Sequence, residues 1–125
     1  MSQYKFHGYT PHQRDLVYIT FNPSVGREIQ KRRPALVISS DAFNLYTGFV
    51  AVCPITSRIR SQAGYINLHA NKIKGQIVAM QFRTMDFISS DRNIEFIEQA
   101  GATDFMKAAR VVKEGLGFSE IIGNI

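Results

Sequence analysis

Short strand-type runs succeed one another along most of this chain, and a helical period appears only after them. That order limits the fold more than any other feature. DLVYITF (15–21) is rich in β-formers, PALVISS (34–40) is an apolar run with β-branched residues, and FVAVCPIT (49–56) is a third such run, with Pro54 near its end where a missing N–H is tolerated. YINLHA (65–70) alternates like a half-exposed strand, GQIVAMQFRTMDFI (75–88) carries one or two more, and IEFIEQAG (94–101) another. TDFMKAARVVKEGLG (103–117) then reads as a helix. Thr103 is its expected cap, Asp104 and Lys113 match the dipole, and Gly115 or Gly117 ends it. Phe105, Ala109, Val112 and Leu116 form its expected apolar stripe. DAFN (41–44) starts a short helical turn capped by Asp41, and residues 1–14 read as a loose arm. The expected fold is mainly β with a C-terminal helix: one domain over 1–125, built on a small, strongly bent sheet or barrel.

Composition narrows the class. Apolar residues at 45% and charged residues at 20% fit a folded domain rather than a disordered chain. No apolar run approaches the roughly 20 residues of a membrane helix, and MSQYKFHGYTPHQRD lacks the apolar centre of a signal peptide. The single Cys53 allows no internal disulfide. A cytoplasmic protein with no membrane association is therefore expected. The net charge of +5 is unevenly spread. Residues 1–85 hold eleven Lys/Arg against Asp15, Glu28 and Asp41, whereas residues 86–125 hold four Lys/Arg against seven acids. One basic face is implied, and its usual partners are nucleic acid or an acidic protein.

The charge concentrates between the first two strand runs. There, Arg27, Glu28, Lys31, Arg32 and Arg33 fall within seven positions and end at Pro34. The proline holds Arg33 in extended backbone, so its guanidinium leaves the chain at a defined angle where loop meets strand. A planar fork of donors suits phosphate oxygens. Glu28 either pairs with Arg33 or accepts a proton. A second cluster closes the third strand, where Thr56, Ser57, Arg58 and Arg60 offer two hydroxyls and two cations. A third comprises Gln81, Arg83, Thr84 and Asp86, with alternation placing Gln81 and Arg83 on one side of a strand. His7, His12 and His69 fall in none of the three, and no His/Cys/Asp/Glu spacing suggests a metal or other cofactor.

Taken in order, VGREIQKRRPALVIS, VCPITSR and GQIVAMQFRTMD resemble the MazF/PemK ribonuclease toxins. Those toxins pair a G-x-E-x-x-x-x-R-P loop with a strand ending in P-(I/V/C)-T and a later Q-x-R-(T/S)-(I/M)-D. The matching residues here are Gly26, Glu28, Arg33 and Pro34; Pro54, Ile55 and Thr56; and Gln81, Arg83, Thr84 and Asp86. The resemblance spans roughly residues 15–115. It implies an SH3-like bent sheet with a C-terminal helix, a homodimer, and metal-independent cleavage of single-stranded mRNA. It also implies a small acidic antitoxin as partner. Carried over, the catalytic candidates are Arg33, Thr56 and Glu28. The chain departs from relatives that have a histidine in this loop, where Arg27 and Arg32 stand, and from those with an acid before the glutamine, where Met80 stands.

The expected chemistry is attack of the RNA 2′-hydroxyl on its own phosphate, giving a 2′,3′-cyclic phosphate. Glu28 is the candidate base, Arg33 the charge stabiliser and Thr56 a hydrogen-bond donor to the phosphate. The proton donor is left open between water, a polarised Arg33 and another group, because a guanidinium with a pKa above about 12 is a poor acid. Arg27, Lys31, Arg32, Ser57, Arg58, Arg60, Gln81 and Arg83 are the expected RNA contacts. The alternative is a non-catalytic basic β-barrel that holds nucleic acid or an acidic partner. A dimer surface is expected on the C-terminal helix or on FSEIIGNI (118–125).

Overall fold

A computed structural model describes residues 2–118 and 121. The element order is β1 (Asp15–Thr20), β2 (Arg32–Val37), α1 (Asp41–Thr47), β3 (Phe49–Thr56), β4 (Tyr65–Asn67), β5 (Gln76–Val78), a 3-10 turn (Ala79–Gln81), β6 (Arg83–Asp86), β7 (Glu95–Gln99) and α2 (Ala102–Leu116). Seven antiparallel strands form one sheet in the order β4-β5-β3-β2-β1-β7, with β6 also on β3. This is the mainly-β fold with a C-terminal helix that the sequence pattern implies. The sheet is bent but does not close into a barrel.

β3 is the pivot. One edge pairs with β2, while the other pairs first with β6, from Phe49 to Val52, and then with β5 through Ile55 and Thr56. Splitting one edge between two partners turns the sheet and gives it two apolar faces. Leu16, Leu36, Cys53, Ile55 and Ile77 pack beneath α2. Val17, Ile19, Ala35, Val37, Val50, Val52 and Met85 fill the opposite side with Phe21 and Phe87. Period-2 alternation along β1, β2 and β3 accounts for the division.

Several local expectations change. The N-terminal arm is not loose: Phe6 and Tyr9 pack on the second cluster, and the Tyr4 N–H bonds the Leu45 carbonyl at 2.8 Å. The Tyr9 hydroxyl donates to Asp15 at 2.6 Å, and burial together with that bond raises its pKa well above the ordinary phenol value. Ser40, not Asp41, caps α1, accepting from the Phe43 N–H; the Asp41 carboxylate instead takes the Gln13 N–H at 2.7 Å. α2 starts after Gly101 with no side-chain cap, so Thr103 lies inside it, and the helix ends at a left-handed Gly117. Its inward stripe is Asp104, Phe105, Ala108, Val111 and Val112, whereas Met106 and Leu116 face outward. Of FSEIIGNI, only Phe118 and Ile121 are described, both exposed; the rest lies outside the described residues. No helix among the described residues is long and apolar enough to cross a membrane.

Candidate active site

Strand register places the two central candidates at the same end of two adjacent strands. β2 and β3 pair Ala35 with Pro54, Leu36 with Cys53 and Val37 with Val52. That ladder ends two residues short of both candidates, Arg33 being registered to Ile19 of β1 and Thr56 to Gln76 of β5. Alternation puts Arg33 on the same face as Ala35 and Val37, and Thr56 on the same face as Pro54 and Val52. Both side chains therefore leave from the face opposite α2, at one end of the sheet.

Each group is oriented by its own loop. The Arg33 Nε donates to the Gln30 carbonyl at 3.0 Å, which leaves its terminal nitrogens unbonded among the described residues. The Thr56 hydroxyl accepts the Arg58 N–H at 3.1 Å, so its hydrogen is free to donate outward. Glu28 closes a tight turn: its N–H bonds the Val25 carbonyl at 3.1 Å, and its Oε1 accepts the Val25 N–H at 2.7 Å. Gly26, at φ +60°, supplies the positive dihedral this turn requires. Among the described residues Glu28 makes no ion pair with Arg33, so its second oxygen stays available.

A surface groove runs along this end of the sheet. Arg27, Glu28 and Ile29 line it from the charged loop, Thr56 and Val78 from the strands, and Arg58, Arg60, Gln62 and Tyr65 from the next loop, with Met80 and Gln81 beside them. A second hollow shares Glu28, Ile29, Met80 and Gln81 and adds Phe21, Pro54, Phe82 and Arg83. Three guanidiniums thus face one carboxylate around the first groove. Arg33 lies at the head of β2 outside the residues that line it.

The remaining expected contacts divide. Arg58 and Arg60 are exposed at the groove, as is Arg27, and Ser57 is an exposed neighbour. Lys31 is exposed with φ +71° and, among the described residues, anchored only through its backbone to Asn22 and Phe21. Gln81 faces the groove, but its carbonyl oxygen already accepts the Ile29 N–H at 2.8 Å. Arg83 donates to the Phe21 carbonyl and the Ser24 hydroxyl, at 3.1 and 3.3 Å. Both thereby hold the charged loop in place. Arg32 points to the other face. It lies over the Tyr18 ring, bonds the Asn93 carbonyl and pairs with Glu95 at 3.1 Å. The groove does not receive it.

Other groove residues escaped the sequence reading. Tyr65, Gln62 and Val78 sit in segments read as loop or ordinary strand, and only the bend of the sheet brings them to Thr56. Gly75 was equally silent. At φ +135°, a Cβ there would stand 2.2 Å from the Thr56 carbonyl oxygen. Among the described residues no three His, Cys, Asp or Glu side chains gather as a metal site.

Known proteins share this fold. The model of one family, described as PemK-like, MazF-like toxin of type II toxin-antitoxin system, matches residues 12–116. The endoribonuclease toxin MazF of Escherichia coli K12 is 29% identical over 77 residues, covering 62% of this chain and 69% of that protein. The crystal structure of MazF from Deinococcus radiodurans superposes with a TM-score of 0.82 at 33% identity, covering 87% of this chain and 98% of the other. A MazE-MazF structure from the same organism gives 0.74 at 30% identity, covering 87% and 97%. With the match running from the end of the N-terminal arm through the last turn of α2, the chain belongs to the PemK-like, MazF-like toxins of type II toxin–antitoxin systems.

Proposed function

We propose that this protein is a sequence-specific endoribonuclease that cleaves single-stranded RNA without a metal ion. The reading is supported most by Arg33 and Thr56 lying on one face at the same end of β2 and β3, with Thr56 in a groove edged by Arg27, Arg58 and Arg60. The 2′-hydroxyl loses its proton and attacks the adjacent phosphorus, the P–O5′ bond breaks, and the leaving 5′-oxygen takes a proton from water, giving a 2′,3′-cyclic phosphate and a 5′-hydroxyl. Glu28 takes the 2′ proton on its free carboxylate oxygen. Arg33 faces the charge that grows on the non-bridging oxygens, and Thr56 donates its hydroxyl hydrogen to one of them. Fixed donors aimed at developing charge supply a large part of such catalysis. Arg27, Arg58 and Arg60 hold the strand, with Lys31, Ser57 and Gln81 at the margins.

The protein acts as a homodimer in the cytoplasm and is neutralised by an acidic antitoxin. Exposed Met106, Phe118 and Ile121 support a contact between copies, and the MazE-MazF structures of relatives support the antitoxin. The deciding experiment digests a diverse single-stranded RNA pool in EDTA and sequences the fragment ends. Cyclic phosphate ends at one short recurrent sequence are expected. A folded protein that binds the pool without cutting it would favour the non-catalytic binding module instead.

A further inference from the structure

Gln76 opens β5, and its backbone is held on both sides: it pairs with Thr56 of β3 and with Asn67 of β4. Its side chain is almost wholly buried, at 4% exposure. A buried amide is costly unless both of its ends find partners. Here Oε1 accepts the Arg60 N–H at 2.8 Å, and Nε2 donates to the Arg60 carbonyl at 3.0 Å and to the Asn67 side-chain oxygen at 2.9 Å. One side chain thus grips both backbone groups of a single loop residue. The loop is residues 57–64. It is tied at its start by the Thr56 hydroxyl and at its end by the Ala79 N–H, which bonds the Gly64 carbonyl at 3.1 Å. Between those ends, Gln76 of β5 holds the loop at Arg60, and the Tyr65 N–H of β4 bonds the Gln62 carbonyl at 3.3 Å.

We infer that Gln76 is a positioning residue for RNA: through Arg60 it fixes the basic loop so that the Arg58 and Arg60 guanidiniums stand ready over the groove beside Thr56. The inference rests on the ribonuclease reading above. Its physical basis is the cost of ordering. A loop already held in its bound shape loses little further freedom when it meets the strand. A loop freed from Gln76 loses that freedom on binding and makes fewer phosphate contacts at once.

The test measures binding of a 2′-O-methyl oligoribonucleotide, which the proposed chemistry cannot cut, against salt concentration. For single strands, each phosphate contact contributes about 0.7 to the slope of log affinity on log salt. The Arg58→Ala/Arg60→Ala variant should therefore lose about 1.4 of slope. Gln76→Met should lose a comparable part of it, and the triple variant should lose no more than the double. With cleavable RNA, Gln76→Met should raise KM several-fold while kcat falls less. A Gln76→Met slope equal to wild type, or losses that add to those of the double variant, would overturn the inference. In case that variant does not fold, amide exchange on the wild-type protein gives a separate reading. The Arg60 N–H should exchange far more slowly than those of Ser57 and Ser61, and equal rates would also overturn it. Wild-type protein that binds no oligonucleotide overturns the ribonuclease reading along with this one. Wild-type binding with an unaffected Gln76→Met slope overturns this one alone.

Discussion

Arg33 and Thr56 differ in what their loss should do. In the proposed mechanism Arg33 carries the charge that meets the crowded phosphorane, so Arg33→Ala should lower kcat on the order of 10²–10³ with a smaller change in KM. Single-turnover cleavage beside equilibrium binding separates the two effects; equal losses in both would reduce Arg33 to a grip. Cys53 gives a contrasting expectation. It is fully buried in the β3 core, and burial pushes its thiol up to about 12. It should resist a thiol reagent at pH 8 in the native protein and react fully once denatured, as read by intact mass. At this scale the sequence was legible where residue type and position coincide. Pro34 announces a fixed Arg33, and the strand-ending P-I-T announces Thr56. It was illegible for Arg32, because neighbouring strand residues face opposite sides. β2 begins at Arg32 rather than at Pro34, and that start sends Arg32 to Tyr18 and Glu95.

Among the elements, β3 was read with its observed bounds because it is long, apolar and β-branched. The α2 helix was found nearly to the residue, but its buried stripe only in part: Phe105 and Val112 pack inward as expected, and Leu116 does not. Leu116 is the exposed last residue of the helix, and Asp104 turns inward, its carboxylate taking the His69 N–H at 2.7 Å. No periodicity argument buries an aspartate without knowing that partner. The approach of β5 to β3 was hidden for a similar reason, since it depends on an absent side chain. Gly75→Ala would bring a Cβ to 2.2 Å from the Thr56 carbonyl at a dihedral of +135°. Strain of that kind costs roughly 1–3 kcal/mol or more, enough to lower Tm by about 5 °C or more in a domain of this size. Because the displaced strand end bears Thr56, cleavage should fall further than stability accounts for. Thermal unfolding and kcat measured well below Tm would test this, and unchanged kcat in a destabilised variant would separate Gly75 from the site.

At the scale of the whole molecule, the basic N-terminal portion and the bent sheet were readable, but the way the sheet is finished was not. Its ends are β4 and β7, and no ladder joins them. Side chains span the gap instead. From β7, Glu98 accepts the N–H groups of Asn71, Lys72 and Ile73, at 3.2, 2.8 and 2.9 Å, in the connection between β4 and β5. Two residues after that connection leaves β4, His69 is held by Asp104 of α2 in the same way. Desolvation works against the Glu98 charge, but the three backbone bonds and the Lys72 ammonium outweigh it and lower its pKa below the ordinary glutamate value. A carboxylate held below its unfolded pKa stabilises the fold fully above that unfolded value, about 4.3 for glutamate, and loses this contribution as pH falls through the folded value. Glu98→Gln keeps the side-chain shape and one acceptor but removes the charge. The variant should be less stable than wild type at pH 7, and the difference should shrink steadily from about pH 4.3 downward. Urea unfolding from pH 7 to pH 3 measures it. Parallel curves at every pH would mean that the charge on Glu98 takes no part in tying the two ends of the sheet together, and that neutral hydrogen bonds alone complete the fold.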